Sequence, residues 1–333
     1  MIPGEWIEQA AVRIAPHVRR TLLTNDAHLN LYLKWENQQV TGSFKVRGAL
    51  NKVLALEKWE QAAGLVTASA GNHGQGVALA GQLVGAPVIV FASNHAVPTK
   101  IKAMQALGAD VRLVAGGYEE AESHAITFAR QNGQTWISAY NDGQVVAGQG
   151  TIGLEVAQDL PPDLFVSIVV PVGGGGMLAG IGAAFEHLGR RARIVGVNAG
   201  ASAFMHTLYH RGTQEGVPDL PTLADGLSGA IEADSITIPL VKKYADDFVT
   251  VSEEEIGQAI AYAWHQHGQV IEGSGAVGLA AVLAGKVTPP AVVIISGGNI
   301  PHEVHEELCR RYFSPLNAIR GQETTYRKSA TEG

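Results

Sequence analysis

The sequence predicts an α/β protein made of two mostly parallel sheets flanked by helices. Short apolar runs of strand length alternate repeatedly with longer helical patterns. Those runs lack polar alternation, as strands covered on both faces do. Three of them end in glycine-bearing junctions that open a helix, where parallel sheets bind their ligands.

The elements follow in order. "MIPGEWIEQAAVRIAPHVRR" reads as an amphipathic helix; Glu5, Glu8 and the lack of an unbroken apolar core set it apart from a secretory signal. "GLVTAS" (64–69) is a strand and 72–84 a helix. Strands at 87–92, 111–114 and 135–138 alternate with helices at 99–107 and 118–131. This set predicts a small domain over 64–140. A second series runs through strands at 164–170, 193–197 and 248–251 with a helix over 177–188 between the first two. Ser252-Glu-Glu-Glu255 is a capping box opening a further helix. A helix at 276–283 and a strand at 291–296 follow, and Pro301 marks the start of the last helix. Residues 1–63 plus 141–316 are expected to form the larger domain, the active site to lie between the domains, and 317–333 to be a polar tail. Leu164 to Phe185 is uncharged for long enough to span a bilayer, but Pro171 and four glycines break it where a strand hands over to a helix.

Composition narrows the chemistry. The chain of 333 residues is 46% hydrophobic and 17% charged, as soluble globular proteins are. A net charge of -7 and the absence of any basic run argue against nucleic acid or an anionic membrane as partner, which leaves a small molecule. Cys309 is the lone cysteine; it excludes an internal disulfide and a cysteine metal cluster, and suits a reducing, cytoplasmic location.

In "TGSFKVRGAL", Lys45 sits between Phe44 and Val46. It is either a helix-start lysine with its stem along apolar surface, or an amine whose pKa is lowered until it acts as nucleophile or base. Three junctions accompany it. Ser69-Ala-Gly-Asn-His-Gly74 offers helix-start N–H groups to a carboxylate or phosphate. Pro171-Val-Gly-Gly-Gly-Gly-Met177 can fold its N–H groups around an anion. Ser296-Gly-Gly-Asn299 is the third. Gly174-x-Gly176-x-x-Ala179 also satisfies the loose dinucleotide pattern, but the next strand ends in Asn198 where a ribose-binding acid belongs. The tetrad is better read as a cup for one terminal phosphate. With a carboxylate loop and a lysine, it points to pyridoxal phosphate.

The order of "TGSFKVRGAL", "SAGNHGQGVALA", "AGQGTIGLEV", "PVGGGGMLAGI", "LADGLSGAI" and "SGGNI" resembles the serine/threonine dehydratase and serine racemase branch of the fold-type II (tryptophan synthase beta-like) pyridoxal-phosphate enzymes, from about Ala11 to Tyr312. The resemblance implies that Lys45 is the Schiff-base lysine, Phe44 packs beside the ring and Asn72 bonds the ring hydroxyl. Gly173, Gly174, Gly175, Gly176 and Met177 would hold the phosphate, Gly226 and Glu272 would line the cofactor, and Ser296 would face the pyridine nitrogen. Ser69, Asn72 and His73 would bind the substrate carboxylate. It further implies a homo-oligomeric lyase that removes water and ammonia from L-threonine, L-serine or a related 3-hydroxy amino acid, with Lys45 taking the α-proton.

The sequence departs from the pattern in places. Leu22 stands where many members have proline. Asn198 and Phe204 replace acids that bind a divalent cation in many members, so no metal is expected. Ala70 stands where racemases of the branch carry a serine, which disfavours inversion. A racemase, a β-replacement synthase and a non-catalytic cofactor-binding protein are the alternatives.

Overall fold

A computed structural model describes residues 1–312; residues 313–333, which include the end of the expected larger domain and the expected tail, lie outside the described residues. In chain order the elements are α1 (Gly4–Ile14), β1 (Leu23–Asp26), β2 (Leu31–Trp35), α2 (Lys45–Leu54), α3 (Lys58–Ala62), β3 (Leu65–Ala68), α4 (Asn72–Val84), β4 (Val88–Ser93), α5 (Pro98–Ala106), β5 (Asp110–Val114), α6 (Tyr118–Asn132) and β6 (Thr135–Trp136). There follow α7 (Gly143–Asp159), β7 (Ser167–Pro171), α8 (Gly176–His187), β8 (Arg193–Ala199), α9 (Phe204–Arg211), α10 (Thr237–Tyr244), β9 (Asp247–Val251), α11 (Glu253–His267), α12 (Gly273–Leu283), β10 (Ala291–Ile295) and α13 (His302–Tyr312).

The strands form two sheets, ordered β1-β2-β10-β7-β8-β9 and β5-β4-β3-β6. Every ladder is parallel except β1 with β2 at one edge. The inner strands β3, β7 and β10 are buried along their whole length, which is why they read as unbroken apolar runs. β5 is an edge strand and carries Asp110 and Arg112, charges that discourage pairing with another chain. Helix starts follow local chemistry. The capping box forms as the sequence predicts: Glu255 N donates to Ser252 Oγ at 3.2 Å, and Ser252 N to Glu255 Oε2 at 2.7 Å. The Asp142 carboxylate accepts from Gln144 N and Val145 N to open α7.

The sequence reading does not include α3, α7, α9 or α10, and it differs at three strands. The strand expected over 135–138 ends at Trp136, because the Ser138 hydroxyl accepts from Asn141 N at 3.0 Å and turns the chain. The pair β1 and β2 has no apolar signature, since it carries Lys34 and Asp26; both are buried and given polar partners in place. Lys34 Nζ lies 2.5 Å from Glu155 Oε2, and Asp26 accepts from Tyr262 Oη at 2.6 Å. The uncharged stretch 164–185 folds as β7 and α8, and no helix among the described residues is long and apolar enough to cross a membrane.

Helices α2, α7 and α8 meet backbone against backbone. A Cβ on Gly148 of α7 would stand 2.6 Å from Arg47 O of α2, and one on Gly180 of α8 would stand 2.6 Å from Gly150 N of α7. Glycine is required at each crossing. On its other side α2 sends Val46, Ala49, Leu50 and Val53 into the core beneath the four-stranded sheet.

Arg47 closes this packing with a buried ion cluster. Its guanidinium donates to both oxygens of Glu36 at 2.8 Å and to Glu155 Oε1 at 2.7 Å, and Arg47 and Glu36 are fully buried. Burial alone would raise the Glu36 carboxyl, but Arg47 and Lys34 outweigh it and hold it below its ordinary value. Removing one partner leaves a buried charge uncompensated, so Glu36→Gln is expected to cost about 3 kcal/mol by equilibrium denaturation at neutral pH. Because the folded pKa is depressed, the stabilisation is complete above the unfolded value and is lost as pH falls through the folded one; the gap between wild type and variant should close in acid. A variant within about 0.5 kcal/mol of wild type at neutral pH would contradict this role.

Candidate active site

Four helices begin around one space: α2 at Lys45, α4 at Asn72, α8 at Gly176 and α12 at Gly273. Helix starts present unpaired N–H groups and positive dipole ends, so the space favours anions. Two of the four, α4 and α8, follow a parallel strand through the turn after it, which places them at strand carboxyl ends.

Lys45 Nζ donates to Ala139 O at 3.1 Å and lies 5.4 Å from the centre of the Phe44 ring. The residue keeps some accessible surface, yet its amine is enclosed, and burial lowers its pKa to about 8. His73 is buried on the first turn of α4. Its Nε2 donates to Ile137 O at 3.2 Å, and burial together with the Lys45 charge lowers its pKa to about 3. The ring is therefore neutral, with Nδ1 an acceptor that has no protein partner.

Asn72 is held from two sides. Its Nδ2 donates to Glu272 Oε1 at 2.5 Å, and its Oδ1 accepts from Asn299 Nδ2 at 2.7 Å. Burial raises the Glu272 carboxyl to about 7, opposed by Lys100, reinforced by Asp225 and opposed again by the Asn72 hydrogen bond. Glu272 Oε2 and the hydroxyl of fully buried Ser43 have no protein partner. Ser43 bridges to Gly297, and Phe44 N donates to Ser296 O at 3.0 Å, so the start of α2 is pinned to the end of β10. The Ser296 hydroxyl is buried and donates to Ser274 O at 3.4 Å. Ser69 Oγ accepts from Gly71 N at 3.0 Å and shapes the loop into α4.

The glycine tetrad wraps the start of α8. A Cβ on Gly174 would stand 2.2 Å from the Tyr140 ring, and Gly175 has φ +83°, a left-handed conformation that glycine alone adopts without strain. A Cβ on Gly173 would approach Leu227 Cα at 3.1 Å, and Met177 is buried behind the turn. Gly226 N donates to Ser274 Oγ at 2.9 Å, which brings its turn to the α12 start, although Gly226 itself is exposed. The residues expected to form the cofactor and carboxylate site thus lie at these helix starts or in contact with them. Sequence reasoning missed Asn299, though it lay inside the third junction; Tyr140 and Ser43, which gave no separate signal; and a carboxyl pair at the edge. There Glu122 of α6 accepts from Tyr118 Oη at 2.8 Å, while Glu232 is held by Asn141 Nδ2 and donates its N–H to Tyr140 Oη. Asn198 serves the fold, donating to Val172 O at 2.7 Å and accepting from His206 N at 2.9 Å, while Phe204 packs in the core. Among the described residues no group of three or more His, Cys, Asp or Glu side chains could hold a metal.

Comparison with known proteins identifies the family. The family model described as pyridoxal-phosphate dependent enzyme matches residues 9–298. An L-threonine ammonia-lyase of Thermotoga maritima is 43% identical over 311 residues, covering 90% of this chain and 76% of that one. The structure of threonine deaminase isoform 2 from Solanum lycopersicum aligns with a TM-score of 0.80 at 31% identity, over 92% of this chain and 93% of that one. Maize serine racemase aligns with a TM-score of 0.83 at 28% identity, over 93% of this chain and 98% of that one.

The carboxyl pair generates a pH test. Burial, then the neighbouring Glu232, raise Glu122 to about 7 from an ordinary 4.5, with the Tyr118 hydrogen bond opposing them. The folded protein thus keeps a proton that the unfolded chain loses, and stability falls as pH rises between those values. Glu122→Gln removes that slope, so its melting temperature relative to wild type should be higher at pH of about 8 than at about 5. An offset that is equal at both pH values would show that the pair shares no proton.

Proposed function

Because this chain belongs to the pyridoxal-phosphate dependent enzyme family, as the match over residues 9–298 and the 43% identical relative show, we propose that it is an ammonia-lyase acting on L-threonine, L-serine or a related 3-hydroxy amino acid. The observation that carries the reading is Lys45: an enclosed amine with its pKa lowered to about 8, at the meeting point of four helix starts.

The residues present fit the cofactor. The tetrad is a tight turn in which the Tyr140 ring occupies the space a Cβ at Gly174 would need, leaving its backbone free of side chains, and Ser43 Oγ, Glu272 Oε2 and His73 Nδ1 are buried polar atoms without a protein partner. In this reading Lys45 would attach the cofactor and Gly173 to Met177 would hold its phosphate, while Asn72 would bond its ring hydroxyl, Phe44 would pack beside it, Gly226 and Glu272 would line it, and Ser296 would face the pyridine nitrogen. When bound, the cofactor supplies an electron sink for the substrate α-carbon.

The chain's own groups then divide the work. The Ser69 hydroxyl and the N–H groups of Asn72 and His73 at the start of α4 bind the substrate carboxylate. Neutral His73 adds no charge there. Lys45 Nζ, with its pKa lowered to about 8, has a neutral fraction at physiological pH that takes the α-proton. The β-hydroxyl leaves as water with the proton that Lys45 Nζ took up, and the released enamine takes up water and sheds ammonia to give a 2-oxo acid. Ala70 presents an exposed methyl group on the carboxylate loop and has no proton to move, so a racemase has no second acid-base group at this position. A division into 1–63 plus 141–316 and 64–140, homo-oligomeric assembly and a cytoplasmic location belong to the same proposal. The four-stranded sheet, drawn from 65–136 alone, supports that division.

A panel of L-threonine, L-serine and bulkier or acidic 3-hydroxy amino acids, scored for 2-oxo acid and ammonium, tests the activity. At least one should be turned over, with no loss on adding EDTA; turnover of none would refute the proposal. Ala70→Ser should raise conversion of L-serine to D-serine by roughly a hundredfold, the contribution of a positioned acid-base group. Rapid racemisation by the wild type would contradict the role given to Ala70.

A further inference from the structure

One charged pair bridges the rim of the cleft, and its members come from opposite sides. Lys100 lies on α5, beside the four-stranded sheet; its Nζ is 2.7 Å from Oδ2 of Asp225, in the turn Asp225–Leu227 that faces the glycine tetrad. The lysine side chain is 11% exposed and the aspartate 47%, so the cation has left solvent to meet its partner at the surface. The lysine stem walls the carboxylate loop: a Cβ on Gly71 would stand 2.8 Å from Lys100 Cδ. The aspartate's turn is fastened inward, through Gly226 N to Ser274 Oγ and through the approach of Leu227 to Gly173. The pair therefore joins the loop that precedes α4 to the turn that abuts the phosphate cup.

Nothing in the packing of α5 calls for this reach. Met104 and Ile101 already seat the helix in the core beneath β3 and β4, and a pair with a half-exposed partner adds little to stability. We propose that Lys100 is a positioning residue for the amino-acid substrate: its ammonium, held by Asp225 across the cleft, keeps the loop 69–72 closed over the substrate carboxylate. The inference rests on the ammonia-lyase reading and adds a determinant of substrate retention to it. The same ammonium opposes the upward shift that burial imposes on Glu272, so it acts on both walls of the site. Lys100 exchanges no proton with the substrate. Its loss should weaken binding and leave the chemical step nearly intact.

The test uses the cofactor-loaded protein. Lys100→Met should raise KM about fivefold with kcat within about twofold, at unchanged cofactor content and melting temperature. Asp225→Asn should do the same from the other wall. The reversed pair, Lys100→Asp with Asp225→Lys, should recover most of the KM loss that each reversal causes alone, because the two charges act on each other and not separately on the substrate. Hydrogen exchange at residues 69–74 should be faster in Lys100→Met than in wild type before any substrate is added. That arm decides the role of Lys100 even if the wild type turns over none of the amino acids, so failure of the latch and failure of the ammonia-lyase reading are told apart. Unchanged KM and exchange in Lys100→Met, a fall in kcat at constant KM, or a reversed pair no better than the single reversals would overturn the proposal.

Discussion

The site depends on how closely α2, α7 and α8 approach one another. Helices normally pack with their axes about 8 to 10 Å apart because side chains fill the space between them. Here Gly48 faces Gly148 and Gly150 faces Gly180, so backbone meets backbone. That approach sets Lys45, the first residue of α2, beside the chain that enters α7 at Ala139 and Tyr140, and Tyr140 in turn forms one wall of the turn into α8. A methyl group at any of these glycines would push the helices apart. The lysine would regain water and the shift in its pKa would fade. The Arg47 cluster ties α2 to Glu155 of the same helix α7 and to Glu36, and Arg47 is two residues beyond the lysine.

Electrostatics at the centre follow from this enclosure. Few full charges are left near the amine. His73 is kept neutral, Glu272 is raised to about 7 and Lys45 is lowered to about 8, so two groups of opposite type are brought towards neutrality from opposite directions. Such convergence is characteristic of sites that move protons at neutral pH. What remains is the positive potential of four helix starts, suited to a ligand carrying a phosphate and a carboxylate.

Much of this was legible in the sequence because it rests on local backbone chemistry. Buried parallel strands read as apolar runs, and strand-to-helix junctions read as glycine and small polar residues; together they gave the α/β class, and six motifs in order gave the family. Asn72 and the tetrad stand out in the sequence in this way. What escaped detection lies in contacts between distant segments. Lys34 and Asp26 hid β1 and β2 because their side-chain partners lie more than 100 residues away. Tyr140 walls the tetrad and Asn299 orients Asn72, but neither role has a signature within its own segment. The Lys100–Asp225 pair spans 125 residues and two sheets. Asn198 looked like a lost metal ligand; it ties β8 to the end of β7 and to the start of α9.

The central claim is that the Lys45 amine is the covalent attachment point of the cofactor. Borohydride reduction of the cofactor-loaded protein, followed by peptide mapping, measures this directly. The account predicts one reduced adduct, on the peptide containing Ser43, Phe44 and Lys45, at close to one cofactor per chain. An adduct on another lysine, or none in cofactor-saturated protein, would contradict it.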